Sequence, residues 1–436
     1  MTDTRTSTLP PSETPQGPGP ARFESVAEAA ERAGLVLPSR VHRRWSVPLV
    51  VVSMLVLAAI GVAAVLPAEW VASKENTRLG VDQGTPFART PASAQPVDDR
   101  VVFGDLGDAA EQFPPTGDIF FVTVTEPAQS ILSWFAGRDE PAVQFLTSEE
   151  KYGVQTPSQS RAIALEQMRT SEQVAQYVAL QRLGFDVELI EGDVLIQDMV
   201  CLAANENNTE CAEWSPSDDV LDPGDRILEV EVGPVAGVGG LSGVLDGLEP
   251  GDVVSMRIDR PDDGVIDVDV ELTASPDDPD RTIVGFYPFD TRRVELPFEL
   301  DIDTGSIGGP SAGLAFTLTL IDELTEGELT GGADIAVTGT IELDGSVGPI
   351  GGLRQKASAV AQTGVDVFLV PGISDTATDA QREAFDTELE LARQAGGDDL
   401  QIIPVRTLEE AIEALESIGG DPIPPAPGGS ADTEGG

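Results

Sequence analysis

Two residues in this chain have the type and setting to do chemistry together. Ser311 stands in GSIGGPSAGLAFTLTLIDEL (305–324), where glycines and a proline open into a dense apolar segment. Lys356 lies in GPIGGLRQKASAVAQTGVDVFLVP (348–371). A serine hydroxyl becomes a nucleophile when a base takes its proton, and an uncharged lysine amine can be that base. The chain has only three lysines, Lys74, Lys151 and Lys356, among 26 basic residues. Arginine does not release its proton at working pH, so a position that needs a neutral amine must keep lysine. On these residues alone, a capping or packing role for Ser311 and a solvated surface charge at Lys356 remain open readings.

The inventory excludes other mechanisms. The one histidine, His42, precedes a long apolar run, so a Ser-His-Asp triad with Ser311 would have its base across a membrane. No GxxxxGK[ST] phosphate loop occurs, and any ATP dependence would need a partner. Two cysteines and one histidine do not make an ordinary zinc site. No metal and no cofactor are expected. A net charge of -49 argues against nucleic acid as a partner.

The elements that must position the pair can be read on either side of it. VELPFELDID (294–303) alternates as a strand, and Gly305, Gly308 and Gly309 form a turn. Pro310 suits the first position of the helix that follows. Ser311 then sits at a helix start, where unpaired amides point outward and the dipole favours negative charge, as an oxyanion needs. Lys356 falls in the first turns of a helix after a glycine turn, ahead of a buried strand at 366–371.

Further out, 1–44 reads as a disordered cytoplasmic tail with one short amphipathic helix at 23–36. Residues 45–70 read as a transmembrane helix, because 47–68 are 22 positions without a charge. Arg40, Arg43 and Arg44 before the run keep the N-terminus cytoplasmic. Everything beyond is then extracytoplasmic. There Cys201 and Cys211 are expected to close a disulfide across a polar loop. Residues 71–117 read as a linker, 118–190 as a strand and a long helix (158–183) packing on the ectodomain, and 419–436 as a disordered tail.

LDPGDRILEVE (221–231) and LEPGDVVSMRI (248–258) repeat one phrase, a Pro-Gly turn, an aspartate and an alternating strand. The pairing resembles a PDZ domain over 191–280, with a short helix at 215–221 and a closing strand at 267–272. The resemblance makes 192–200 the strand beside a peptide groove, to which extended peptide would add as a further strand. The cysteine-flanked insertion at 201–211 departs from the pattern.

Residues 290–418 resemble the proteolytic domain of Lon proteases, most closely the membrane-anchored, PDZ-containing Lon-like proteases of bacteria. GPSAG (309–313) is similar to the nucleophile motif, PIGGLRQK (349–356) to the lysine motif and VTGTI (337–341) to the threonine-glycine strand. The resemblance implies an α/β (α+β) proteolytic domain beside the β-rich PDZ-like domain. Ser311 would be the nucleophile and Lys356 its base, supported by Thr338, Gly309 and Pro310. ATP-dependent relatives usually carry an acidic residue where this chain has Gly308.

The function expected is ATP-independent serine endopeptidase action on extracytoplasmic protein or peptide substrates. A homo-oligomer is implied by the resemblance. Such a dyad works only if burial moves the lysine pKa from about 10.4 toward the operating pH. The other reading is a membrane-tethered peptide-binding scaffold with an inert dyad.

Overall fold

The structure is a computed structural model that describes residues 43–76, 81–204, 211–231, 233–261 and 263–423. The expected helix at 23–36 lies outside them. The chain divides into two compact units, Met1–Val62 and Ala63–Gly436.

The first unit contributes helix α1 (Arg43–Ala63), whose side chains are described from Val47 onward. Val47, Leu49, Met54 and Leu57 are each more than 60% exposed. Among the described residues no helix is long and apolar enough to cross a membrane. The helix is also shorter than the expected 45–70. Pro67 disfavours helical backbone at the residue before it and has no N–H to donate. Just after it, Ala68 is buried and its amide donates to Gln129 O at 2.9 Å.

The second unit is built on two sheets. In chain order its main elements are β1 (Phe87–Pro96), β2 (Ile119–Thr125), β3 (Gln144–Leu146) and α2 (Pro157–Arg182). Next come β4 (Glu188–Met199), β5 (Arg226–Val230), α3 (Gly237–Leu245), β6 (Val253–Arg260), β7 (Gly264–Glu271) and β8 (Phe286–Glu295). The last are α4 (Gly313–Glu323), β9 (Ile335–Val337), α5 (Leu353–Thr363), β10 (Val367–Pro371), α6 (Asp379–Gly396), β11 (Gln401–Val405) and α7 (Leu408–Ile418).

The first sheet has the order β11-β10-β9-β2-β1-β3. Its first four strands are parallel, and β1 and β3 join antiparallel. Parallel strands are normally covered on both faces and read as continuous apolar runs. Alternation within those runs divides two cores. Phe121, Ile335, Val337 and Leu369 pack with α2, α4 and α7, whereas Val122, Ala336, Phe368 and Val370 pack with α5 and α6. Every residue of α4 is buried. The start of α2 is fixed by Thr156, whose hydroxyl accepts from Gln159 N while Gln159 Oε1 accepts from Thr156 N.

The second sheet is antiparallel, in the order β7-β6-β5-β4-β8. Val254, Met256 and Ile258 of β6 face inward onto a core that includes Leu241 of α3. The repeated sequence phrase becomes a repeated turn. Asp225 Oδ2 accepts from Asp222 N, and Asp252 Oδ2 accepts from Glu249 N, each at 2.9 Å. Gly224 and Gly251 follow Pro with φ of +99° and +97°, a conformation that glycine adopts without strain. Cys201 and Cys211 are bridged, with S–S 2.04 Å, across a hairpin of Cys201–Ala204 and Cys211–Trp214.

Several expected boundaries change. Residues 71–117 are not a linker throughout, since β1 pairs with both β2 and β3 inside the first sheet. Its prolines and small residues, and a register shift between Pro91 and Ala94, hide any period of two. The strand at 294–303 is two strands. Residues 286–295 complete the antiparallel sheet, and Leu300–Ile302 pairs with Val101–Phe103 beyond Pro297. The strand at 192–200 therefore has neighbours on both sides and cannot be the groove edge. The edge strands of this order are β7 and β8, and β8 is met by α3 where the Val238 amide donates to Asp290 Oδ1. At the C-terminus, residues 419–423 are packed, with Asp421 N on Glu328 O at 2.8 Å and Ile423 buried. The rest of the expected tail lies outside the described residues.

Candidate active site

The turn before α4 presents Ser311 outside regular helix. The helix begins at Gly313 with Ala312 as its cap, not at Pro310 as the proline suggested. The cause is a competing set of bonds from the neighbouring strand end. Ser311 O accepts from Gly339 N at 2.9 Å and from Thr338 Oγ1 at 3.1 Å, while Gly339 O accepts from Leu314 N at 3.1 Å. These bonds hold the serine backbone away from helical pairing. A side-chain carbon at Gly339 would come within 2.7 Å of Val347 Cγ1, so the close approach requires glycine.

Helix α2 braces the same turn from the opposite side. Ala164 O accepts from Gly309 N at 2.7 Å, Ser171 Oγ donates to Pro310 O at 3.0 Å, and Arg161 donates to Ser306 O. Gly309 has φ +95°. The helix also accounts for Gly308. A Cβ there would sit 2.9 Å from Ala164 Cβ and 3.1 Å from its carbonyl carbon, so the acidic side chain usual in ATP-dependent relatives has no room.

Lys356 comes from the opposite core layer. It lies on the first turn and a half of α5, after Gly352 at φ +74°. The side chain is 2% exposed, and its Nζ lies 2.7 Å from Ser311 Oγ and 2.8 Å from Thr338 Oγ1. Burial, with a smaller contribution from the Arg89 charge, lowers its pKa to about 7. Desolvation disfavours the ammonium form because no carboxylate compensates it. Thr338 then decides the direction of the bonds. Its hydroxyl proton is used on Ser311 O, so it can only accept from the amine. A neutral amine donating to Thr338 keeps its lone pair for the Ser311 hydroxyl.

The cavity around the pair is about 650 Å3 and is lined by Phe121, Val124, Met168, Ile307, Ile350 and Arg89, among others. The amides of Ser311 and Ala312 have no hydrogen-bond acceptor among the described residues. They are the donors available to a developing oxyanion. The structure thus brings Ser311, Lys356, Thr338, Gly309 and Pro310 into one site, and Cys201 and Cys211 are not part of it. Sequence reasoning missed Ala164, Ser171 and Arg89. Ala164 and Ser171 are small residues two turns apart, a spacing that puts them on one helix face; Arg89 carried no signal.

Residues 300–415 match the family model described as the Lon protease (S16) C-terminal proteolytic domain. The Lon protease of Xanthomonas oryzae pv. oryzae is 36% identical over 109 residues, 25% of this chain and 11% of that protein. The Lon protease of Trichlorobacter lovleyi is 36% identical over 124 residues, 28% of this chain and 13% of that protein. The chain therefore spans a small fraction of these relatives. Among solved structures, the PDZ domain of the SdrC-like protein from Listeria monocytogenes is similar at 19% identity and TM-score 0.17, covering 22% of this chain and 85% of that one. Residues 300–415, which include Ser311 and Lys356, are thus similar to the Lon-type proteolytic domain.

Proposed function

We propose that the chain is a membrane-anchored serine endopeptidase that cleaves extracytoplasmic proteins without ATP, through a Ser311–Lys356 dyad. The observation that carries the reading is the buried amine 2.7 Å from the serine hydroxyl, with no carboxylate bonded to it among the described residues. As Ser311 Oγ attacks a peptide carbonyl, its proton passes to Lys356 Nζ. The free amides of Ser311 and Ala312 hold the oxyanion, and the protonated amine then supplies the leaving nitrogen with its proton. Water releases the acyl group by the same route in reverse. Support for the anchor is the charge-free run at 47–68 and the exposed apolar side chains of α1. The PDZ-like sheet beside the proteolytic domain, and assembly into a homo-oligomer, belong to the same reading.

The test is cleavage of an unstructured protein by the full chain without nucleotide, beside Ser311→Ala and Lys356→Arg. The parent should cleave and both variants should lose at least about 10³-fold in kcat/KM, because neither leaves a working nucleophile-base pair. Equal cleavage by all three proteins would overturn the dyad. No cleavage by the parent would favour the scaffold with an inert site.

A further inference from the structure

Arg89 is the unexpected member of the cavity. It comes from β1, the strand that sequence pattern did not disclose, and its guanidinium is partly buried beside the dyad. Its Nε donates to Glu126 Oε1 at 2.7 Å, and no hydrogen bond engages Nη1 or Nη2 among the described residues. The side chain lies against the turn that opens the lysine helix. A Cβ at Gly352 would fall 2.9 Å from Arg89 Cδ, and one at Gly351 would fall 3.7 Å from Nη1. Gly352 of PIGGLRQK therefore makes room for a second cation beside the lysine, whereas Gly351 would tolerate a side chain at ordinary contact distance.

A cation placed there works against a second positive charge. The charged residues lining the cavity with Lys356 are Arg89, Glu126 and Arg161, and the Arg89 charge adds to burial in lowering the pKa of the amine. On the same helix, Arg354 is two residues away. From α6, packed against α5 through Leu389 and Ala392, the acidic Glu383, Asp386 and Glu390 are exposed. From β9 and β10 the neighbours are apolar, apart from Thr338 just past the end of β9.

We propose that Arg89 is a positioning residue of the dyad, a same-sign neighbour that favours the proton-accepting form of Lys356, with Glu126 as the carboxylate that holds Arg89 in place and tempers its charge. The proposal rests on the dyad reading and adds a control to it. A chain of net charge -49 otherwise surrounds its catalytic amine with a field that favours protonation. Arg89 is a local correction to that field.

The test is the acid limb of kcat/KM against pH for the full chain, with Arg89→Gln, Arg89→Lys and Glu126→Gln. Arg89→Gln should move the limb about half a unit or more to higher pH, Glu126→Gln should move it to lower pH, and Arg89→Lys should stay near the parent. A purely structural role would lower the rate at every pH and leave the limb in place; that result, or shifts of the same sign in both glutamine variants, overturns the proposal. The Lys356 amine can also be followed directly by 13C NMR of lysine labelled at Cε, where only three residues give signals. Its midpoint should move in the same opposite directions, and an unmoved midpoint in Arg89→Gln overturns the proposal even if the parent cleaves nothing. Absence of cleavage with these shifts intact would instead count against the protease reading.

Discussion

Arg260 in the antiparallel sheet is a partly buried cation and Lys356 a fully buried one, and their partners differ in kind. Arg260 is bound by Asp225, with Nε–Oδ1 2.9 Å and Nη2–Oδ2 2.6 Å, and Asp225 has no exposed surface. That paired carboxylate holds the guanidinium charged, above its ordinary pKa. Lys356 has two hydroxyls for partners and Arg89 for a charged neighbour. The first arrangement fastens a turn to a strand. The second leaves an amine able to exchange its proton. Burial alone does not make a cation catalytic; what decides is whether a carboxylate is buried with it.

The contrast can be broken from either side, and the larger effects should come from the charges themselves. Lys356→Met should stabilise the protein below neutral pH. The folded-state pKa of about 7 lies under the ordinary 10.5, so the unfolded chain binds the extra proton between those values. Stability should then rise with pH from about 7 to 10.5, and below 7 the full cost of burying the ammonium, on the order of 4 kcal/mol, is present. Urea unfolding at pH 6 and pH 10 checks this: the variant should gain at pH 6 and show a flatter dependence. Asp225→Ala should do the reverse at the other cation, costing about 3 kcal/mol by removing the buried carboxylate from Arg260, which keeps only Asp222 and the Val220 carbonyl, and by leaving the Asp222 amide without its acceptor. Its unfolding midpoint in urea should fall, while cleavage by the dyad changes little. An unchanged midpoint would mean the pair contributes nothing net. The smallest effect in the set is the displaced acid limb expected of the Arg89 and Glu126 variants.

What could be read beforehand followed from local chemistry. Ser311 and Lys356 were legible because lysine is scarce in this chain and each residue sits in a glycine-marked phrase. The two Asp-stabilised turns were legible because Pro, Gly and Asp act within four residues. The strand at 87–96 was not, because paired neighbours rather than alternating side chains define it, and its partners lie 24 or more residues away. The expected strand at 294–303 hid the boundary between two strands for a related reason: the partner of 286–295, β4, lies far back in the chain. Long-range pairing also explains Gly308, whose meaning depends on Ala164. Arg89 depended on the same missed strand.

The central claim is that Lys356 carries no charge when Ser311 needs its base. The most direct measurement is the pH titration of the three lysine Cε resonances in the full chain, with the Lys356 signal assigned by Lys356→Arg. That signal should titrate with a midpoint near 7. A midpoint above about 9 would mean the amine stays protonated at neutral pH, and would contradict the account.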